Sequence, residues 1–359
     1  MKKKIRVAFA GVGSNTSATL QMIVRGQMLD KEEENGVNFA KIYDYSISDI
    51  EIACCFDVDD RKVGKDISDA IFVVDNACKK YIDVPKLNIP VFPGPLFDGI
   101  DGKLNNEIPV HIHSKSNDID DVVKKLKEYE VDILVANLPT GAEKAVKEYA
   151  KAAANAKVAF INTTPEKVAR DLEIQKLFID NNVPLLGDDL RSHLGATTLH
   201  MNLIELLKSR GLKVSNTYQL NFGGNMDFLN LSSPGRANSK QNSKRNALFA
   251  AGIDASKVAA GPNGFVEYLG DTKVCYLHID AVSILDSPLS LEIRLMVEDS
   301  PNAAGVIVNA IRVAKVAIDK KMCGNIQEVG AYLFKSPVVG MTEENGFNSF
   351  LQFIGGEQA

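Results

Sequence analysis

Four lysines stand where the chain gives an ammonium group unusual surroundings. Lys240 and Lys244 are four residues apart in Ser239-Lys240-Gln241-Asn242-Ser243-Lys244-Arg245, so on a helix they share a face. Like charges there repel by a few tenths of a kcal/mol, about what an anion seated between them relieves. Lys273 follows Gly270-Asp271-Thr272 at the head of an apolar run, and Lys335 lies in Ala331-Tyr332-Leu333-Phe334-Lys335-Ser336-Pro337. An apolar setting lowers a lysine's pKa toward the range useful for proton transfer. Each has a plainer reading as well: a solvated basic face for the first two, a snorkelling or edge-guarding side chain for the others.

A second set suits a nucleotide. Ile5–Ala10 reads as a strand, followed by Gly11-Val12-Gly13-Ser14-Asn15-Thr16 and a helical pattern. Gly11 permits the tight turn, and Gly13 lets a pyrophosphate approach backbone N–H groups at the positive end of a helix dipole. Thr16 replaces the third glycine of the usual fingerprint, and a lone GxG is equally the mark of any tight turn. Cys54-Cys55-Phe56-Asp57 ends the second strand on an acid that could take ribose hydroxyls, or could serve as a turn residue. An acid there favours NAD over NADP, because a 2′-phosphate would be repelled.

Leu186–Thr197, containing Asp188, Asp189, Ser192, Gly195, Ala196 and Thr197, combines open backbone with hydroxyls and could cradle a phosphate; it is equally a helix start capped by Asp188 or Asp189. His111 and His113 would share a strand face, but no third metal ligand lies near, so core or surface histidines is the better reading. GxSxG, HExxH and P-loop motifs are missing, which leaves hydrolase and kinase readings without support.

The elements that must position these groups fall into two sorts. Through Gly187, short apolar runs at Ile5–Ala10, Ile52–Phe56, Ile133–Ala136 and Val158–Ile161 alternate with amphipathic stretches such as Gly141–Ala156. This is the pattern of βαβ units and a parallel sheet. The stretch Gln27–Ser48, with its acidic run at residues 30–34, reads as a solvated helix end or loop inserted before the second strand. After a helix near Leu194–Ser209 the period becomes two. Strands are expected near Tyr218–Phe222 and Val274–Ile284, and Leu289, Leu291, Ile293, Leu295 and Val297 share one covered face of another. Asp299-Ser300-Pro301-Asn302 then opens a helix over Ala303–Ile318, with Ser300 as N-cap and Pro301 first in the helix.

The expected fold is therefore α/β. A doubly wound parallel-sheet domain over residues 1–199 and 297–359 carries an inserted α+β domain, largely antiparallel, over 200–296. The 359 residues suit two cores, and the 45% hydrophobic, 24% charged composition is that of a globular protein. A net charge of −5 argues against nucleic acid as partner. The five cysteines have no CxxC spacing and read as reduced core thiols of a cytosolic protein. No run approaches the roughly 18 apolar residues of a membrane span.

Taken together, these segments resemble the myo-inositol-1-phosphate synthase family, particularly its bacterial and archaeal branch. The resemblance rests on Gly11-Val12-Gly13, Phe56-Asp57-Val58-Asp59, Gly187-Asp188-Asp189, Gly195-Ala196-Thr197, Gly223-Gly224-Asn225-Met226-Asp227-Phe228-Leu229-Asn230, Ser239-Lys240 with Ser243-Lys244, Asp299-Ser300-Pro301-Asn302 and Leu333-Phe334-Lys335-Ser336-Pro337. They follow the family's order over nearly the whole chain. The resemblance implies a Rossmann domain around a middle domain that supplies catalytic lysines and the contact of a homotetramer. It places Lys240, Lys244, Lys273, Lys335, Asp189 and Asp271 in the active site. Ser192, Gly195, Ala196, Thr197 and Lys244 fall on the substrate phosphate, and Gly11, Val12, Gly13, Ser14, Asn15, Asp57, Thr140, Asp188 and Asp299 on the cofactor. Arg191 departs from the lysine common in relatives, which puts full activity in question.

The implied reaction converts glucose 6-phosphate to an inositol phosphate in the cytoplasm. NAD takes hydride from C5 while Lys240 accepts the hydroxyl proton, the C6 enolate is stabilised by Lys273 and Lys335 and attacks C1, and the hydride returns. A divalent or monovalent cation is left open. A net NAD-dependent sugar-phosphate dehydrogenase and a catalytically silent NAD-binding relative remain as alternatives.

Overall fold

The structure, a computed structural model, describes residues 4–28, 37–73, 76–116, 118–250 and 258–355. The acidic run at 30–34 lies outside them.

The chain begins β1 (Ile5–Ala10), α1 (Ser14–Met28), β2 (Ile50–Asp57), α2 (Ile67–Ala70), β3 (Val91–Pro93), α3 (Asp120–Glu128) and β4 (Ile133–Ala136). It continues α4 (Glu143–Ala156), β5 (Ala159–Asn162), α5 (Leu172–Asp180) and β6 (Pro184–Leu186). These strands, joined late in the chain by β11 (Gly324–Asn325), form a seven-stranded sheet in the order β11-β6-β5-β4-β1-β2-β3. Every pairing in it is parallel. Its strands are buried on both faces, which is why they read as apolar runs rather than alternation. Leu20 and Ile23 of α1 pack on one face with Ile307 and Ile311 of a late helix, while Val122, Val146 and Phe178 of α3, α4 and α5 cover the other. Strand order reverses between β1 and β4, so a crevice opens beyond their carboxyl ends, where such sheets bind ligands.

Next come α6 (Ala196–Ser209), β7 (Lys213–Gly223), α7 (Met226–Leu231), α8 (Asn238–Ala250), β8 (Ala260–Phe265), β9 (Thr272–Val282) and β10 (Pro288–Glu298). The four strands form a second sheet, ordered β10-β9-β7-β8. It is mixed, because β7 and β8 run parallel while the other pairs are antiparallel. Helix α6 straddles the expected border at residue 200, and its Met201, Ile204 and Leu207 belong to the core beneath this sheet. The last elements are α9 (Asp299–Asp319), α10 (Gln327–Leu333) and α11 (Glu343–Phe353). Among the described residues α9 alone is long and apolar enough to cross a membrane, and it is largely buried in the first core.

Three local expectations are corrected. β9 ends at Val282 instead of Ile284, because Leu285 and Asp286 take φ near 60° and turn the chain into β10. Ser300 does not cap α9. The helix starts at Asp299, and the Ser300 N–H and hydroxyl both bond the Asp271 carboxylate, so a distant acid satisfies the first turn. His111 and His113 do not share a strand: a 3-10 turn spans Ile112–Ser116, and only Val110 pairs, with Asp59. Among the described residues no cluster of three His, Cys, Asp or Glu side chains could hold a metal ion.

Candidate active site

The crevice at the switch point is one wall of a cavity whose other wall comes from the second sheet and its helices. The turn after β1 is held by Gly11 N–H donating to Phe56 O at 2.8 Å and Ser17 N–H donating to Gly13 O at 2.9 Å. Gly11 has φ +92°, and a Cβ there would lie 2.5 Å from Asn137 O. Gly13 differs: a Cβ on it would meet nothing within 4 Å, because it faces the cavity. The positive end of α1 therefore opens on space bounded by bare backbone, which fits the pyrophosphate of a dinucleotide.

Asp57 ends β2 at the same mouth. One carboxylate oxygen accepts from Val12 N–H at 2.6 Å and the other from Val58 N–H at 2.8 Å and Asp59 N–H at 2.9 Å. Lys62 stands 3.7 Å from it. Thr140, after β4, also lines the cavity, and its hydroxyl donates to Asp227 at 3.0 Å.

Across the cavity three lysines arrive from three elements, each against a carboxylate from another. Lys240 of α8 pairs with Asp227 of α7. Lys273, at the start of β9, donates to Asp299 of α9 at 3.0 Å. Lys335, just beyond α10, donates to Asp189 at 2.9 Å. The last pair is set by a short antiparallel match in which Lys335 N–H donates to Asp189 O at 2.7 Å and Ser336 N–H to Asp188 O at 3.1 Å.

Their electrostatics differ. Burial alone would lower the Lys240 pKa, but Asp227 and Asp189 outweigh it and hold the ammonium above the ordinary lysine range. Lys335 goes the other way: burial, then Lys240 and Lys273, push it down against the pull of Asp189. Lys244, buried one turn along α8, is pushed far down by burial and by the charges of Lys273, Lys240 and Lys335. Burial would raise Asp299, yet Lys273 and Lys240 keep it below the usual carboxylate range.

One cavity thus collects Gly11, Val12, Gly13, Ser14, Asn15, Asp57, Thr140, Asp189, Ser192, Lys240, Lys273, Asp299 and Lys335. Other expected residues stand behind it. Asp188 does not line the cavity and caps no helix: fully buried, it accepts from Asn162 Nδ2 at 2.8 Å, Ala169 N–H at 2.9 Å and Arg170 Nε at 3.2 Å. Asp189 caps no helix either, since the N-cap of α6 is Gly195. Gly195 precedes that helix and Ala196 and Thr197 open it, both buried and none of the three among the residues that line the cavity. Asp271, also buried, is bonded to Ser300; burial and the nearby Asp299 raise its pKa to about 6. Arg191 turns its guanidinium away, to Phe334 O at 3.0 Å and to Glu343.

Two participants carried no readable signal. Asp227 lies within the Gly223–Asn230 stretch, but nothing in spacing couples it to Lys240 thirteen residues on. Glu166 accepts from Gly141 N–H at 2.7 Å and Ser239 Oγ at 2.9 Å, tying the start of α8 to the turn after β4.

Residues 195–300 match the family model described as myo-inositol-1-phosphate synthase. An inositol-3-phosphate synthase from Mycolicibacterium smegmatis is 40% identical over 98% of this chain and 98% of the relative. One from Corynebacterium glutamicum is 39% identical over 93% of each chain. The crystal structure of the Caenorhabditis elegans inositol-3-phosphate synthase superposes with a TM-score of 0.79 over 99% of this chain and 86% of that one; at 16% identity it speaks for the fold alone. A Rossmann-type sheet facing a lysine-lined second layer, with full-length relatives at this identity, places the chain in the myo-inositol-1-phosphate synthase family.

Proposed function

We propose that the chain is an inositol-3-phosphate synthase, converting D-glucose 6-phosphate to 1D-myo-inositol 3-phosphate with NAD held at the Gly11–Asn15 turn. The observation that carries the reading is the single cavity that joins this turn to Lys240, Lys273 and Lys335. Bound NAD would supply the hydride acceptor at C5 and return the hydride after ring closure.

The lysines divide the remaining work by their electrostatics. Lys335, with its depressed pKa, is the proton acceptor suited to the C5 hydroxyl and returns that proton to the C5 oxygen when the hydride comes back, while the C6 proton passes to the substrate's own phosphate dianion. Lys240 is held protonated by Asp227, which makes it an electrostatic partner rather than the base that the sequence suggested. With Lys273 it places positive charge where the enolate oxygen develops. C6 then bonds to C1, and the aldehyde oxygen takes up the proton that left C6. Lys244, buried one turn along α8 and not itself lining the cavity, and Ser192, which lines it, are assigned to the phosphate, where a dianion would relieve the crowding of like charge.

Asp57 is assigned to the ribose hydroxyls. A homotetramer is assigned to the second sheet, whose outer face leaves Tyr218, Tyr276 and Met296 partly exposed. Five free cysteines suit a reducing compartment such as the cytoplasm.

Incubation of the purified protein with glucose 6-phosphate and NAD tests the reading. Phosphorus NMR is expected to show an inositol phosphate while NADH absorbance stays flat. Accumulating NADH would indicate a net dehydrogenase, and NAD binding without product a silent relative.

A further inference from the structure

We propose that Arg191 is a positioning residue for Lys335. The claim rests on the reading of Lys335 as proton acceptor. Arg191 is buried and does not line the cavity. Its backbone N–H donates to Leu333 O at 2.9 Å and its Nε to Phe334 O at 3.0 Å, so it grips the peptide that carries Lys335. The rest of the guanidinium is anchored elsewhere: one arm pairs with Glu343 at the start of α11, and the other lies 4.0 Å from Met201 Sδ in α6. Glu343 N–H in turn donates to both Glu205 oxygens at 3.2 Å. Arg191 therefore fixes the Phe334–Lys335 peptide against α6 and α11 at once, and with it the separation of Lys335 from Asp189.

A lysine at 191 keeps the charge that Glu343 and Glu205 require. It has no Nε and a single donor head, so it cannot both pair with Glu343 and hold Phe334 O in this geometry. Around Lys335 stand the charges of Asp189, Asp299, Lys240, Lys244 and Lys273, of which Asp189 supports its protonated form through a direct bond. Slackening the grip lets Lys335 leave Asp189, and the neutral amine then persists to lower pH.

The test compares Arg191→Lys with Glu343→Gln in the full-length protein. R191K is expected to melt near wild type, to lose roughly ten- to a hundredfold in kcat with little change in KM, and to show the acid limb of its kcat profile at lower pH. E343Q, which leaves the bond to Phe334 O in place, should keep the wild-type limb. Acylation of Lys335 by a water-soluble anhydride, followed by mass spectrometry across pH, reports the same shift without turnover. A wild type that makes no inositol phosphate defeats the functional reading alone. R191K with an unmoved acylation midpoint defeats the positioning role, as does an E343Q limb that moves as far as that of R191K.

Discussion

Lys335 is held to Asp189 twice, through its backbone N–H to the Asp189 carbonyl at 2.7 Å and through Nζ to the Asp189 carboxylate at 2.9 Å. The first bond is part of the local fold, while the second sets a carboxylate charge beside the amine. Asp189→Asn should leave the backbone match intact and remove the charge that opposes burial, Lys240 and Lys273. The Lys335 pKa then falls further, so the acid limb of kcat moves to lower pH. With the amine no longer anchored, kcat should drop by about two orders of magnitude. A pH profile of D189N superimposable on wild type would remove Lys335 as the group that titrates.

The two glycines of the first turn should separate folding from cofactor binding. Gly11→Ala puts a Cβ 2.5 Å from Asn137 O at a φ of +92°, so it should destabilise the protein whether or not NAD is present. Gly13→Ala has open space and should melt like wild type on its own. Its methyl enters the volume assigned to the pyrophosphate, so the rise in Tm that saturating NAD gives the wild type should shrink or vanish. A G13A protein that NAD stabilises as well as wild type would put the dinucleotide elsewhere.

Most of the fold could be read because its signals are local. Parallel strands such as Ile133–Ala136, buried on both faces, announce themselves as apolar runs, and β10 shows its covered face through Leu289, Leu291, Ile293 and Leu295. What escaped was set by distant partners. Ser300 reads as an N-cap until Asp271, 29 residues earlier, takes its hydroxyl. Asp188 reads as a phosphate-loop acid until burial against Asn162 and the amide of Ala169 shows it bracing the loop after β5. Lys240 reads as a base until Asp227 holds its proton. Lys240, Lys273 and Lys335, which line one cavity, stand out by residue type and setting, but the carboxylates that pair with them come from other elements.

Asp271 should leave a signature in stability against pH. Burial, followed by the charge of Asp299, raises its pKa to about 6 in the folded protein. A carboxyl that holds its proton more tightly folded than unfolded makes stability fall as pH rises from its unfolded pKa near 4 up through about 6. That gap corresponds to roughly 3 kcal/mol, lost progressively across the window and absent as a benefit above it. Asp271→Asn cannot titrate, so its urea midpoints between pH 4 and 7 should decline less steeply than those of the wild type. Parallel curves would mean that Asp271 ionises as an ordinary acid.

Lys244 gives the sharpest test of the phosphate site, because its proton is coupled to the ligand. Burial and the like charges of Lys273, Lys240 and Lys335 push its pKa down, which disfavours the ammonium before substrate arrives. A phosphate dianion beside it reverses the balance and favours the ammonium. Binding must then draw protons from the buffer, and the observed heat depends on the buffer's ionisation enthalpy. Calorimetry with glucose 6-phosphate at neutral pH, in two buffers of differing ionisation enthalpy, should show net uptake for the wild type. Lys244→Met should bind more weakly and take up fewer protons, the remainder coming from Lys335, which is depressed for the same reasons. Uptake in K244M equal to that of wild type would show that the dianion is bound out of reach of this lysine.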